Sequence, residues 1–388
     1  MPPSCQVFIT RTASFLPNAP VDNDDIERVL GQVGDRPSRA RRIILRNNGI
    51  LQRHYAIDPA TGKCTHTNAQ LTAEAVRRLA DEFFQLNSID CLATGTSLPD
   101  QLMPNHGVMV HGELGNPACE VVSTAGICAS GIAALKYAWL AVLAGQAKNA
   151  VATGSDRASA VMHARNFAAE SQHRVDALDN QPEIAFEKDF LRWMLSDGAG
   201  AFLLQPAPRP GQRALRIEWI DILSQAHALP TCMYAGAEKT DNGSLSGWAG
   251  FSPVDWAQQS IFAVKQDVRL LNDAVVEHTL VKPLEKLMAS GRLQASEVDW
   301  FLPHMSSAYF RQPMCDAMAR IGFAIPPEKW FTNLTTRGNT GAASMFIMID
   351  ELLHSGRLAH GQKILCFTPE SGRFTGSLML LSVVDHAG

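Results

Sequence analysis

Short apolar runs alternate with longer stretches of helical period along most of the chain, the pattern of an α/β protein whose sheet is covered on both faces. Residues 70–86 place Val76, Leu79, Ala80, Phe83 and Phe84 on one helical face, and 89–95 follows as a strand. Strands are also predicted at 119–125 and 150–154. Between them, 129–146 has the Ala- and Leu-rich composition of a central helix buried nearly all round. The stretch PAPRPGQR at 206–213 can extend neither a helix nor an interior strand, so it is expected to join two halves, 1–210 and 211–388. A second loop-rich region, 228–254, contains DNGSLSGWAGFSP and is expected to cover a site. The pattern assigns no element to 156–190.

A weak internal repeat runs across the proline-rich connection. SIDCLATGTS, VVSTAGICASGIAAL and NAVATGSD in the first half are answered by EVDWFLPHMS, WFTNLTTRGNTGAAS and KILCFTPESG in the second. Asp90 and Cys128 are 38 residues apart, Asp299 and Asn339 are 40 apart, so strand, helix, strand and a Gly-flanked turn opening a small-residue helix recur in register. Two similar α/β units facing each other are expected.

Composition narrows the function. The 388 residues are 46% hydrophobic and 19% charged, as in soluble globular proteins. Lys and Arg total 34 against 38 Asp and Glu, with no basic run, so nucleic acid is not an expected partner. The start, MPPSCQVFITRTASFLP, has neither a signal-peptide pattern nor a membrane span, and a cytoplasmic protein is expected. The eight cysteines are scattered singly, without the pairing of zinc sites or disulfide frameworks, and most are expected to be reduced and buried. Dispersed histidines and the absence of GxxxxGK[ST] or a strand-borne GxGxxG leave no metal or nucleotide cofactor expected.

Cys128 lies in Thr-Ala-Gly-Ile-Cys-Ala-Ser-Gly-Ile, where a strand gives way to a helix of small residues. There the helix dipole and unpaired N–H groups are expected to lower the thiol pKa and supply a thiolate near neutral pH. His304 ends the apolar run WFLP at a strand's carboxyl edge, where ligands of α/β sheets gather. Asn339 holds the repeat position of Cys128. Each also fits a structural role: an inert buried thiol, a hydrogen-bonding imidazole, a helix N-cap. Together they fit a pocket with one nucleophile and two neutral donors to a carbonyl oxygen, a set suited to thioester chemistry. Gly372, in the closing segment PESGRFTG, offers a backbone N–H for an oxyanion hole.

The segments AGICASGIAAL, LSDGAGAFLL, WFLPHMSSAYF, RGNTGAASMFIMIDELLHSGRL and SGRFTGS resemble the successive blocks of the ketoacyl-acyl-carrier-protein synthase III family of the thiolase superfamily. The resemblance implies the thiolase-like duplicated αβαβα fold. It implies Cys128 as the acylated nucleophile, His304 and Asn339 as the pair acting on the second substrate, and Gly372 with the Cys128 amide as oxyanion donors. It further implies a homodimer and substrates that are thioesters of acyl carrier protein or coenzyme A.

Within the family, HGELGNPACEVVSTAGICASG is most similar to ketosynthases that make dialkylresorcinols through cyclohexanediones. That likeness implies joining a 3-oxoacyl to a 2-enoyl thioester by one Claisen and one Michael step. The chain departs from the chain-initiating members in three places. Met305, Ser306 and Ser307 follow His304 where Gln-Ala-Asn is usual; Leu51 stands where arginine is common, favouring a carrier-protein substrate; and 156–190 is longer than its counterpart, with Glu187 either a pocket base or a solvated loop carboxylate. The alternatives are a chain-initiating synthase III, acyl transfer to oxygen or nitrogen from the same Cys128, a cysteine hydrolase, and a catalytically inactive partner subunit.

Overall fold

The computed structural model describes residues 6–33, 41–167, 191–240 and 242–385. Before the proline-rich connection the strands are β1 (Phe8–Phe15), β2 (Val21–Asp22), β3 (Gln52–Arg53), β4 (Cys91–Thr96), β5 (Glu120–Ala125), β6 (Ala150–Asp156) and β7 (Gly198–Gln205). After it come β8 (Arg213–Ser224), β9 (Met233–Tyr234), β10 (Ala237–Lys239), β11 (Leu245–Gly247), β12 (Lys265–Gln266), β13 (Trp300–Pro303), β14 (Lys363–Glu370) and β15 (Thr375–Asp385). Nine of these form one sheet in the order β13-β14-β15-β8-β1-β7-β6-β4-β5. Both β4 and β6 are buried at every residue, as expected of strands covered on both faces.

The sheet repeats itself about the β8–β1 join. From β1 outward, the pairings to β7 and β6 are antiparallel and those to β4 and β5 parallel. From β8 outward, β15 and β14 pair antiparallel and β13 parallel. The counterpart of β5 is reduced to a single bridge between Phe301 and Trp330. The fold is therefore the duplicated α/β arrangement of the thiolase-like class.

Helices Ser130–Leu143 and Ser344–His354 occupy equivalent places in the two units, and their apolar faces share one core with Ile132, Leu135, Phe346 and Ile349. Close approach is required: a Cβ on Gly131 would lie 2.5 Å from the carbonyl oxygen of Ala342. Phe346 is fully buried and meets the Phe202 ring at 4.4 Å between centroids. Burying such a ring contributes about 2–3 kcal/mol.

Three local expectations need correction. The helix predicted over 70–86 is Asn68–Arg77 and goes no further. Asp81 takes the backbone N–H groups of Phe83 and Phe84 and pairs with Arg11 and Arg209, which turns the chain and leaves Phe83 exposed. The helix Ser130–Leu143 is not buried all round, because Leu140 is exposed. Residues 228–254 form no simple covering loop: they hold β9 and the ribbon β10–β11, and Cys232 and Met233 donate to the Ser371 and Gly372 carbonyls. Of the seven described cysteines, Cys91, Cys128, Cys232 and Cys366 are buried and Cys64 is exposed. No helix among the described residues is long and apolar enough to cross a membrane.

Candidate active site

Cys128 follows β5 and precedes the helix Ser130–Leu143, in a tight strand-to-helix turn that buries its thiol. His304 follows β13, its N–H donating to the Phe367 carbonyl at 2.8 Å. Both line one cavity of about 440 Å³, its mouth included. The rest of the wall is largely apolar: Leu271, Val275 and Val276 from one helix, Phe310 and Met314 from another, and Met305 and Phe367 beside the histidine. Thr279 completes that side from a single π-helical turn, Glu277–Val281, inserted between Val268–Val276 and Lys282–Ala289. Such turns recur at functional sites because they re-aim one side chain without ending the helix.

Burial controls the charge of both groups. The His304 imidazole is pushed down to about 4, so it is neutral at physiological pH, and its Nδ1 has no protein partner among the described residues. For Cys128 the expected depression is overturned: burial first, then the Asp156 and Glu370 carboxylates, push the thiol up. Part of the carboxylate contribution comes from the helix start. Oε2 of Glu370, the last residue of β14, accepts the N–H of Ile127 at 2.9 Å and of Ala129 at 3.3 Å, so a carboxylate already holds the amides on either side of Cys128.

Asn339 is buried but does not line the cavity. Its backbone bridges Met194 and Ser196, and its Oδ1 accepts the N–H of Gly341 at 3.0 Å, which fixes the carboxamide plane. Among the described residues its Nδ2 donates to no protein acceptor. The turn that follows abuts the first turn of the Cys128 helix through the Gly131–Ala342 approach. Cys128 and His304 thus meet in one cavity, with Asn339 in the turn packed against the helix that follows Cys128.

Gly372 is placed by the region expected to cover the site. The Ser371 carbonyl accepts the N–H of Met233 at 3.1 Å and the Gly372 carbonyl that of Cys232 at 2.8 Å. Because C=O and N–H point in opposite directions across a trans peptide, the first bond aims the Gly372 N–H away from Met233. Ser371 itself lines the cavity. The described residues of 228–254 add nothing to the cavity wall; they reach it only through this backbone tie.

Of the residues that depart from the chain-initiating pattern, Met305 is buried in the cavity wall and Ser306 lies beside it. Ser307 accepts the N–H of Tyr309 and starts a short helical turn. Leu51 is exposed. Glu187 and most of the 156–190 segment lie outside the described residues. Two acids were missed from sequence, Glu370 and Asp156, although each closes an apolar strand at the sheet's carboxyl edge, a signal that could have found them.

Comparison with known proteins agrees with this geometry. The profile described as 3-Oxoacyl-[acyl-carrier-protein (ACP)] synthase III C terminal matches residues 288–381, and that of the Beta-ketoacyl synthase, N-terminal domain, matches 115–209. Beta-ketoacyl-[acyl-carrier-protein] synthase III of Xanthomonas campestris pv. campestris (strain 8004) is 26% identical over 373 residues, covering 96% of this chain and 97% of that one. The Neisseria gonorrhoeae (strain NCCP11945) synthase III is 26% identical over 374 residues, covering 96% and 98%. Among solved structures, AbyA1, a tetronic acid condensing enzyme, superposes with a TM-score of 0.74 at 21% identity over 97% of this chain and 99% of that one. Xanthomonas campestris OleA with bound lauric acid and lauroyl-CoA gives 0.71 at 18% identity over 97% and 99%. These structural likenesses establish the fold, and the two profiles and the full-length relatives make the chain similar, along nearly all its length, to condensing enzymes of the β-ketoacyl-acyl-carrier-protein synthase III type.

Proposed function

We propose that this chain forms carbon–carbon bonds between a 3-oxoacyl and a 2-enoyl thioester, closing a cyclohexanedione that a separate oxidase can convert to a dialkylresorcinol. The observation that carries the reading is the shared cavity: a buried thiol and a neutral imidazole in one wall with Leu271, Val275, Val276, Phe310 and Met314. Such a wall takes a hydrocarbon chain and leaves the thioester beside the polar groups. The OleA structure holds lauric acid and lauroyl-CoA, and AbyA1 is named for tetronic acid condensation, so acyl chains and condensation have precedent on this fold.

In the first step the Cys128 sulfur bonds to the acyl carbonyl carbon, the carrier's C–S bond breaks, and the thiol proton passes to the carrier sulfur by way of His304. Cys128 and Gly372 N–H groups stabilise the tetrahedral oxyanion. The carbon next to the second thioester's carbonyl then gives up a proton that ends on the departing Cys128 sulfur, and His304 with the Asn339 Nδ2 donates to the enolate oxygen. Neutral donors suit this task because they add no charge to a water-poor pocket. Claisen attack on the acyl carbon expels Cys128 as the thiol, Michael addition to the enoyl double bond supplies the other ring bond, and the ring departs still joined to the second carrier through its carboxyl thioester. With Leu51 exposed and no cation in its place, an acyl carrier protein is the preferred donor over coenzyme A.

A homodimer completes the reading. β5 is an edge of the nine-stranded sheet and no residue in it is buried, while Val108 and Leu140 stand exposed on the helices flanking it. An unpaired edge with apolar neighbours needs covering, and a second copy of the same edge covers it by two-fold symmetry.

The test is intact-mass spectrometry after incubation with the two thioesters, with product analysis. Native protein is expected to gain an acyl mass that Cys128→Ala lacks, and to release a cyclic product. Asn339→Ala is expected to keep the adduct and lose condensation by about a hundredfold. A hydrolysed acid, an ester or an amide as sole product would overturn the condensation reading.

A further inference from the structure

Glu370 is half-buried, lies outside the cavity wall, and bridges two parts of the site. Its Oε2 holds Ile127 N–H at 2.9 Å and Ala129 N–H at 3.3 Å, the residues before and after the nucleophile. Gly372, two positions further on, packs against the same turn: a Cβ there would lie 2.9 Å from Ile127 Cδ1. Amides at a helix start carry the positive end of its dipole, and in reactive cysteine sites that potential stabilises the sulfur anion. Here a carboxylate already occupies two of them.

We propose that Glu370 is a positioning residue for Cys128, locking the nucleophile turn to the 371–374 turn and holding the empty enzyme's sulfur as a thiol by occupying the amides that would otherwise stabilise a thiolate. The titratable groups facing Cys128 are Asp156 at the end of β6, Glu370 at the end of β14 and His304 across the cavity. Both carboxylates push the thiol up, and His304 is neutral and adds no compensating charge. The thiol proton therefore leaves as the sulfur–acyl bond forms, with the carrier sulfur as its final acceptor, and the unloaded site resists alkylation and oxidation. The inference rests on Cys128 being the acylated residue and is independent of which second thioester follows.

Glu370→Gln keeps an acceptor for the two amides and removes the charge. The experiment follows iodoacetamide alkylation of the full chain against pH by intact mass, with Cys128→Ala as background. The alkylation midpoint is expected to fall by about one pH unit in Glu370→Gln, raising the rate near neutral pH about tenfold. Glu370→Ala, which removes the tie as well, is expected to show the same shift and a lower kcat at unchanged KM. An unmoved midpoint overturns the proposal, including the case where alkylation rises equally at every pH, which marks only a loosened turn. Loss of the fold in both replacements makes Glu370 a structural tie and also overturns it. If Cys128→Ala is alkylated as fast as the native chain, the fault lies instead with Cys128 as the reactive thiol.

Discussion

Asp156 accepts the backbone N–H of Ala342 at 2.7 Å, which fastens the end of β6 to the turn that carries Asn339. The same carboxylate accepts from Thr96 and from the backbone and hydroxyl of Ser97, so four donors surround a fully enclosed acid. Gly341 makes this contact possible: its φ is +55° and a Cβ would lie 2.0 Å from Asp156 Oδ2. Gly341→Ala is expected to destabilise the chain by about 2–4 kcal/mol, through a strained φ and displacement of the carboxylate. A thermal melt showing a loss of several degrees checks it.

How much of this was legible beforehand differs by feature. The strands around β4 and β6 and the helix after Cys128 were readable because uninterrupted small and β-branched runs admit few other conformations. Cys128 and His304 stood out because each sits where an apolar run meets a turn. The end of the helix at Arg77 was not readable, since it depends on Asp81 meeting arginines at positions 11 and 209. Glu370 reaches Ile127 across 243 residues and Asp156 reaches Ala342 across 186, separations at which no local pattern records a partner. For the same reason the rise in the Cys128 pKa was invisible: the helix start was evident, and neither the burial of the thiol nor the two carboxylates beside it was.

The buried His304 links stability to pH with a definite sign. Its folded value of about 4 lies below the ordinary value of 6.5, so between these the unfolded chain binds more protons. Its contribution is complete above about pH 6.5 and is lost as pH falls towards 4, about 3 kcal/mol in all. Urea midpoints measured across this interval are expected to drop on acidification in the native chain and to drop less in His304→Asn. Equal slopes in the two proteins would show that the imidazole is not held neutral.

Val275 projects from its helix into the apolar wall, and its replacement by a larger side chain shortens the space for an acyl group. Val275→Phe is expected to move the preferred acyl donor to shorter chains, with discrimination against the longest changing about tenfold or more. Competition between donors of different length, read as relative adduct masses on Cys128, measures it.

The edge strand makes an equally direct prediction. Leu140→Glu places a charge on the exposed flank of β5, and a two-fold interface meets that charge twice. Sedimentation is expected to show dimer dissociation weakened in the native chain's favour by roughly a hundredfold. A native chain that sediments as a monomer at all concentrations would remove the homodimer from the proposal.

The tie from Cys232 and Met233 to the 371–372 peptides has a consequence for how such enzymes diverge. A donor aimed by a distant ribbon can be re-aimed by changes that leave every cavity-lining residue intact. Two relatives with the same wall can therefore load the same acyl group at different speeds, and the cause will lie in a segment that lines no part of the cavity.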